Sequence, residues 1–262
     1  MPNKKKKKDK LSFELKNLWT VYSQTEEKTV MTFADEYKAF LKLVKTEREA
    51  VDFFRENAKK AGYKCAVSTG KSGKKLYYVN RDHAIAIVRK GKKPVSQGVR
   101  IIGAHLDSPR LDLKQKPFFE DSNLSMLKTH YYGGIKKYQW LSRPLAIHGI
   151  VIKGNGDKVK ISVGEDPGDP VFVIPDLLPH LAKKVQYSKG VSELVSGEQL
   201  KILAGQKEVK SEEDKKKLTS FLLELLHSRY GIVQEDFVSA DLEVVPADDP
   251  RDVGFDRSMV GG

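Results

Sequence analysis

The sequence predicts an α/β fold in which a mixed sheet with packed helices is interrupted by a β-rich insert. Two helical segments come first, in Phe33–Gly62, and three strand-like segments follow in Leu76–Ile102. This order is typical of helices that pack on one sheet. From Pro109 to about Gln234 the segments become short and β-prone, with two more helices among them. We therefore assign the segments on either side of this insert to one split domain.

Composition limits the size and the class of the protein. With 262 residues, 39% hydrophobic and 31% charged, the chain can bury the core of one large domain or two modest ones. The net charge of +12 is partly local, because Lys4–Lys8 is a run of five lysines. Such a run is either a disordered, solvated tail or a site for nucleic acid or an anionic surface. No aromatic residue interleaves the lysines, so we favour a disordered tail at 1–10 and expect no nucleic-acid partner.

Cysteine content and hydropathy indicate the compartment. Cys65 is the only cysteine in the sequence, which excludes an intrachain disulfide and a cysteine-rich zinc site. This fits a reducing compartment, and we expect a cytoplasmic protein. No run of about 18 apolar residues is present, so no membrane span or membrane partner is expected. No apolar segment follows the N-terminal lysines, so we expect no secretory signal there.

The region before the sheet is mostly helical. Apolar residues at spacings of three and four in Leu11–Tyr22 predict a short amphipathic helix or an arm that packs on another surface. Glu26–Thr32 is polar and is predicted to be a loop. The apolar stripe of the first helix then consists of Tyr37, Phe40, Leu41 and Val44.

A capping box predicts where the second helix begins. Thr46 can accept a hydrogen bond from the backbone of Glu49, and the Glu49 carboxylate can reach back to the backbone of Thr46. Gly62 marks the predicted end, because glycine adopts the left-handed conformation that terminates many helices.

Three strands are predicted after these helices. Leu76–Val79 and Ala84–Val88 form a hairpin pattern, and His83, in the turn between them, is expected to be solvated. The third is Val99–Ile102, whose β-branched residues predict a buried strand. Pro109 ends this run because it has no N–H for a ladder.

A histidine and a carboxylate follow the third strand directly. His105 and Asp107 are two residues apart, so an extended chain points both side chains to one side. Ligands bind at this rim of open α/β sheets, imidazole is a good zinc ligand, and an aspartate can orient it. The alternative is that His105 caps the strand while Asp107 makes a turn with Ser108. These residues alone leave both interpretations open.

The insert is predicted to hold short strands and two helices. Its strands are Thr129–Tyr132, Pro144–Val151 and Lys158–Val163. Its helices are Ile174–Lys184 and Ser211–Tyr230, the second with Ser211 as its N-cap. Tyr187–Glu208 is expected to be irregular. The alternating segment Phe237–Val245 is the next strand, and we expect Asp241–Val245 to rejoin the first sheet.

Three segments in order resemble one known family. They are G-A-H-L-D-S-P-R-L-D-L-K at Gly103–Lys114, K-T-H-Y-Y-G-G-I-K-K-Y-Q-W at Lys128–Trp140 and P-L-A-I-H-G at Pro144–Gly149. The sequence resembles the aspartyl aminopeptidase family of binuclear zinc metallopeptidases, especially its bacterial members, from about Phe33 onward. The resemblance implies a split proteolytic domain, 11–108 and 235–262, interrupted by a β-rich dimerisation domain, 109–234. It also implies peptide substrates and self-association into dimers and dodecamers.

The resemblance assigns roles to individual residues. It implies that His105 binds one of two zinc ions and that Asp107 supports His105. The sequence leaves cobalt or manganese open as alternatives to zinc. The resemblance also implies that His180, in I-P-D-L-L-P-H-L, enters the active site of a neighbouring subunit and there holds substrate or stabilises the tetrahedral intermediate. The alternative for His180 is an ordinary helix-surface histidine. Structural roles are favoured for His130, His148 and His227.

The remaining catalytic groups are not found in this sequence. The family places its bridging carboxylate, other metal ligands and general base beyond the segment G-F-D-R-S-M, here Gly254–Met259. We therefore interpret the chain as the N-terminal portion of a zinc aminopeptidase that removes N-terminal residues from peptides. We expect residues 1–262 alone to be inactive. The alternative is a non-catalytic oligomerisation module derived from that family.

Overall fold

A computed structural model describes Phe13 and residues 15–68, 73–207 and 217–262. Two compact units are present, Met1–Lys42 with Pro250–Gly262, and Leu43–Asp249. The predicted basic tail at 1–10 and the predicted helix start at Ser211 lie outside the described residues. The described chain has the mixed α/β character and the several sheets expected from the sequence.

The elements are numbered along the chain. The α-helices are α1 (Gln24–Leu43), α2 (Glu47–Lys60), α3 (Pro179–Val185) and α4 (Lys217–Tyr230). The strands are β1 (Lys64–Cys65), β2 (Lys75–Asn80), β3 (Ala84–Arg89), β4 (Arg110–Asp121), β5 (Leu124–Tyr132), β6 (Leu145–Ile152), β7 (Lys158–Val163), β8 (Lys201–Gly205), β9 (Ala240–Pro246), β10 (Arg251–Val253) and β11 (Met259–Gly261). No described helix is long and apolar enough to span a membrane.

The smaller unit contains α1 and the antiparallel pair β10–β11. Helix α1 begins at Gln24, so the loop predicted at Glu26–Thr32 is wrong. The reason is an overlooked capping box: the Glu26 carboxylate accepts hydrogen bonds from the backbone N–H and the hydroxyl of Ser23, both at 2.8 Å. In the segment predicted as a helix or arm, the described residues form one 3₁₀ turn, Leu18–Thr20.

The larger unit begins with α2, and its two ends follow the sequence prediction. The hydroxyl of Thr46 accepts from the N–H of Glu49 at 3.3 Å, and the Glu49 carboxylate accepts from the N–H of Thr46 at 3.2 Å. At the other end, Gly62 has a φ of 80° and its N–H donates to the carbonyl of Lys59. The N–H of Tyr63 donates to the carbonyl of Ala58, which completes a Schellman motif.

A three-stranded mixed sheet follows α2. Strand β2 pairs in parallel with β1 and antiparallel with β3, so the predicted hairpin is confirmed. The third predicted strand, Val99–Ile102, is wrong, because this segment is exposed and pairs with no strand in the described chain. Ile101 and Ile102 are 85% and 97% exposed. Their β-branched side chains favour an extended backbone, but a strand also needs a neighbour to satisfy its hydrogen bonds.

The main sheet of the larger unit is six-stranded and antiparallel, in the order β7-β6-β9-β4-β5-β8. Strand β9 lies between β6 and β4, with Val244 opposite both Ile147 and Leu111. The expectation that Asp241–Val245 rejoins the first sheet is therefore wrong. Alternation predicts a half-buried strand correctly, but it carries no information about which strands flank it. Strand β8 likewise lies in the segment predicted to be irregular.

The two faces of the main sheet differ in chemistry because side chains alternate along each strand. One face is apolar and packs beneath α4, with Leu111, Ile147 and Val244 in its core. The other face carries charged and polar side chains, among them Arg110, Asp112, Asp241, Glu243 and His148. We call this second surface the charged face.

The capping box at α2 provides a test of the fold. Thr46→Ala removes the hydroxyl that accepts from the Glu49 N–H. We expect the free energy of unfolding, measured by urea denaturation, to fall by about 1 kcal/mol. Thr46→Ser keeps the hydroxyl and should recover most of this loss. An equal loss in both variants would contradict the capping role and assign the effect to the threonine methyl group.

Candidate functional site

His105 lies in an irregular segment just before β4, and its side chain is 79% exposed. Its Nδ1 is 2.9 Å from the backbone carbonyl of Asp107 and 2.9 Å from Oδ1 of the same residue. Both neighbours are acceptors, which assigns the ring proton to Nδ1. The lone pair of Nε2 then remains for a ligand, as in the carboxylate–histidine arrangement of zinc sites.

Asp107 is held in place by Tyr132 at the end of β5. The Tyr132 hydroxyl donates to Oδ2 of Asp107 at 2.6 Å, while Oδ1 is the oxygen beside His105. This hydrogen bond lowers the pKa of Asp107 and raises the pKa of Tyr132. The two carboxylate oxygens therefore have separate partners, and Asp107 remains ionised near neutral pH.

Arg110 lies over the ring of Tyr132, with its guanidinium carbon 4.6 Å from the ring centroid. Its Nε is 2.8 Å from Oε2 of Glu243 and 3.0 Å from Oδ1 of Asp112. Sequence reasoning missed both Tyr132 and Arg110 as neighbours of the His105 site. The T-H-Y-Y segment signalled a strand, but the strand pairing that brings the two residues together is not visible in a local pattern.

The N-terminus of α2 covers the charged face. Glu47 is 3.5 Å from Nη1 of Arg110, and Arg48 donates to Asp241 at 2.6 Å. Glu243 is 1% exposed, and burial together with the nearby Glu47 carboxylate raises its pKa to about 9, against the opposing effect of Arg110. Glu243 thus tends to retain a proton at neutral pH, which limits its repulsion with the nearby carboxylate of Glu47.

His148 is a second anchor on the charged face. Its Nδ1 is 2.9 Å from Oε1 of Glu49, and its Nε2 is 3.1 Å from Oε2 of Glu165. Burial lowers the pKa of His148, but the hydrogen bonds to Glu165 and Glu49 outweigh it and raise the pKa to about 9. The imidazolium therefore donates to Glu49 and forms an ion pair with Glu165, which agrees with the structural role favoured from the sequence.

The other histidines have different surroundings. His83 is exposed, as expected, and it also contacts α2: its Nδ1 is 3.0 Å from Glu47 and its Nε2 is 2.6 Å from Arg48. His130 has its Nε2 3.5 Å from Oδ2 of Asp112. His83 lies in the hairpin turn, as the sequence predicts, and the start of α2 packs against that turn.

His180 occupies the second position of α3 and is exposed. Ala182 anchors this helix in the core, while Leu178 and Leu181 are 70% and 60% exposed. No hydrogen bond or ion pair joins His180 to His105 or Asp107 within the described chain.

A complete metal site is not assembled by the described residues. Among them, no group of three or more His, Cys, Asp or Glu side chains has an arrangement that could hold a metal ion. His105 nevertheless fits one position of a zinc site, because it offers an imidazole nitrogen whose opposite nitrogen is oriented by a carboxylate.

Comparison with known proteins gives one consistent family. The family model described as aminopeptidase I zinc metalloprotease (M18) matches residues 40–262. A probable M18 family aminopeptidase 1 of Clostridium acetobutylicum is 48% identical over 95% of this chain and 55% of its own length. The chain thus spans about half the length of the curated relatives it matches.

Solved structures share the fold. An M18 family aminopeptidase from Thermotoga maritima matches 95% of this chain and 54% of its own, with 42% identity and a TM-score of 0.88. More distantly, a yeast protein described as the mApe1 dodecamer has 23% identity, a TM-score of 0.63 and a match to 87% of this chain and 51% of its own. The latter likeness concerns the fold alone.

The buried His148 predicts a pH-dependent stability. Its folded-state pKa of about 9 exceeds the ordinary value of 6.5, so its ion pairs stabilise the fold fully below about pH 6.5 and lose this effect as the pH rises through about 9. His148→Gln should therefore cost about 2 to 3 kcal/mol more at pH ~6 than at pH ~10, measured by urea denaturation. His227→Gln, an exposed histidine on α4, is the control. Parallel stability profiles for His148→Gln and the unsubstituted protein would contradict the ion-pair assignment.

Proposed function

Because this chain belongs to the M18 family of aminopeptidase I zinc metalloproteases, we propose that it contributes part of the active site of a zinc-dependent aminopeptidase. The substrates are peptides, from which the enzyme removes the N-terminal residue. The observation that carries the proposal is the geometry at His105, where Nδ1 is tied to Asp107 and Nε2 remains for a metal. Family membership selects zinc as that metal.

In this proposal His105 holds a zinc ion through Nε2, and Asp107 fixes the imidazole. The zinc supplies Lewis acidity toward the scissile carbonyl of the peptide when it is bound. The family resemblance supports two zinc ions in the complete site, and the sequence leaves cobalt or manganese open as alternatives. Catalytic zinc takes about three protein ligands, so His105 needs partners beyond the groups that the described residues bring together.

We also propose a split proteolytic domain with an inserted dimerisation domain. The main sheet and α4 support the insert as a folded part with its own core. The pairing of β9 inside this sheet supports a later end for the insert, near Pro246, in place of Gln234. The exposed apolar residues Leu178 and Leu181 support self-association through α3. A cytoplasmic location is proposed from the single cysteine.

His180 is proposed to act in the active site of a neighbouring subunit. Support comes from its exposure on α3, next to apolar residues that are open to a partner, and from the absence of hydrogen bonds or ion pairs with His105 and Asp107 in the described chain. In that position the imidazole would hold the substrate or stabilise the developing negative charge on the scissile carbonyl.

A non-catalytic oligomerisation module is the second candidate. The observation that favours it is that the described residues bring no complete metal-binding group together. The two candidates differ in what they require of His105, because an assembly module has no need of a zinc ligand there.

The zinc role of His105 is tested by metal binding. His105→Gln removes the imidazole nitrogen, and we expect zinc affinity, measured by competition with a chromogenic chelator, to fall at least tenfold. His227→Gln, which changes an exposed histidine on α4, should leave the affinity unchanged. Equal zinc affinity in His105→Gln and the unsubstituted protein would contradict the proposal and favour the assembly module.

The proposed role of His180 in the active site of a neighbouring subunit is tested by mixing two variant subunits. In the active enzyme, His105→Gln and His180→Gln are each expected to abolish hydrolysis of aminoacyl chromogenic substrates. Coexpression of the two variants should restore activity at roughly a quarter of the sites. About half of randomly formed dimers contain one subunit of each variant, and in each mixed dimer one of the two sites has both His105 and the neighbour's His180 intact. If His180 acted within its own subunit, mixing would restore nothing.

A further inference from the structure

We propose that Tyr132 is a positioning residue for the His105 site: its hydroxyl fixes the Asp107 carboxylate so that Oδ1 holds Nδ1 of His105 and leaves Nε2 for a metal ion. This inference rests on the zinc role proposed for His105. It adds to the site a residue from strand β5. The supporting observations are consecutive contacts that run from Asp107 through Tyr132 and Arg110 to Glu243 at the centre of the main sheet.

Strand pairing places Tyr132 where it can reach Asp107. In the antiparallel pair β4–β5, Tyr132 is directly opposite Arg110, so both side chains lie on the same face of the sheet. Asp107 lies three residues before Arg110 in the segment that leads into β4. A slip of one residue in this pairing would turn the Tyr132 hydroxyl to the apolar face and away from Asp107.

Arg110 restricts the ring of Tyr132. Its guanidinium lies over the ring at 4.6 Å and is itself held by Glu243 and Asp112. The guanidinium is nearly buried, with a side-chain exposure of 10%, and Glu243 is buried at the centre of the sheet. The tyrosine ring is therefore supported on one side by a charged group that has little freedom to move.

The hydrogen bond from Tyr132 restricts the rotation of the Asp107 carboxylate. Asp107 lies in an irregular segment, where its side chain has no regular backbone pairing to limit it. The bond from Tyr132 to Oδ2, at 2.6 Å, removes rotation of the carboxylate and directs Oδ1 toward the imidazole. Without that hydroxyl, Nδ1 keeps only the backbone carbonyl of Asp107 as a fixed acceptor.

The experiment compares two neighbouring tyrosines in the full chain. Tyr132→Phe removes the hydroxyl that holds Asp107, and Tyr131→Phe removes the adjacent hydroxyl, whose ring lies on the opposite face of β5. Imidazole ¹⁵N spectra of metal-free protein, recorded near pH ~8.5 where an ordinary imidazole is neutral, report the tautomer of each neutral histidine. His105→Gln identifies the signals of His105, and urea denaturation checks that each variant is folded.

We expect the Nδ1–H tautomer of His105 to dominate in the unsubstituted protein and in Tyr131→Phe, and to lose population in Tyr132→Phe. Zinc affinity, measured by chelator competition, should fall about tenfold in Tyr132→Phe alone. An unchanged tautomer in folded Tyr132→Phe would overturn the inference, as would equal changes in both tyrosine variants.

The two readouts separate this inference from the proposed function. If His105→Gln lowers zinc affinity while Tyr132→Phe changes neither the tautomer nor the affinity, His105 is a zinc ligand and Tyr132 has no positioning role. If Tyr132→Phe shifts the tautomer while His105→Gln leaves zinc affinity unchanged, Tyr132 positions Asp107 and His105, and the zinc assignment of His105 fails.

Discussion

The 2.8 Å contact between Nε of Arg110 and Oε2 of Glu243 links the parts of the larger unit to each other. Glu243 comes from the centre of the main sheet, and Arg110 from the first residue of the neighbouring strand. Glu47, at the start of α2, and the ring of Tyr132 both contact Arg110. Because Glu243 tends to hold a proton, this contact adds little Coulomb stabilisation, but removal of Glu243 would leave the buried guanidinium of Arg110 less compensated and would be destabilising.

The charged face explains why α2 packs by its N-terminus. Two carboxylates in the first turn of α2, Glu47 and Glu49, meet Arg110 and His148 on the sheet. The same Glu49 completes the capping box with Thr46. One short segment therefore begins a helix, satisfies its backbone and neutralises buried cations on another element. Its sequence has to meet all three demands.

Local patterns predicted those parts of the fold that depend on neighbours in sequence. The Thr46–Glu49 capping box, the hairpin of β2 and β3, and the segments of β6 and β7 were predicted from periodicity and turn residues alone. Two failures involve partners distant in sequence: Val99–Ile102 has an apolar strand sequence without a strand partner in the described chain, and the neighbours of β9 come from distant segments. The loop predicted at Glu26–Thr32 failed for a local reason, because the capping box of Ser23 and Glu26 was overlooked. Of the site, His105 and Asp107 were visible as a spaced pair, whereas Tyr132 depends on the register between β4 and β5.

The difference between the two faces of the main sheet also disfavours wrong strand registers during folding. Strand β9 finds partners that are far away in sequence, which is the kind of pairing most open to error. A shift of β9 by one residue would carry Glu243 into the apolar layer and Val244 among the charges of Arg110 and His148. A misaligned sheet is therefore destabilised on both faces at once. The correct register of β9 is favoured by Glu243 and Arg110, which also support Tyr132 beside the His105 site.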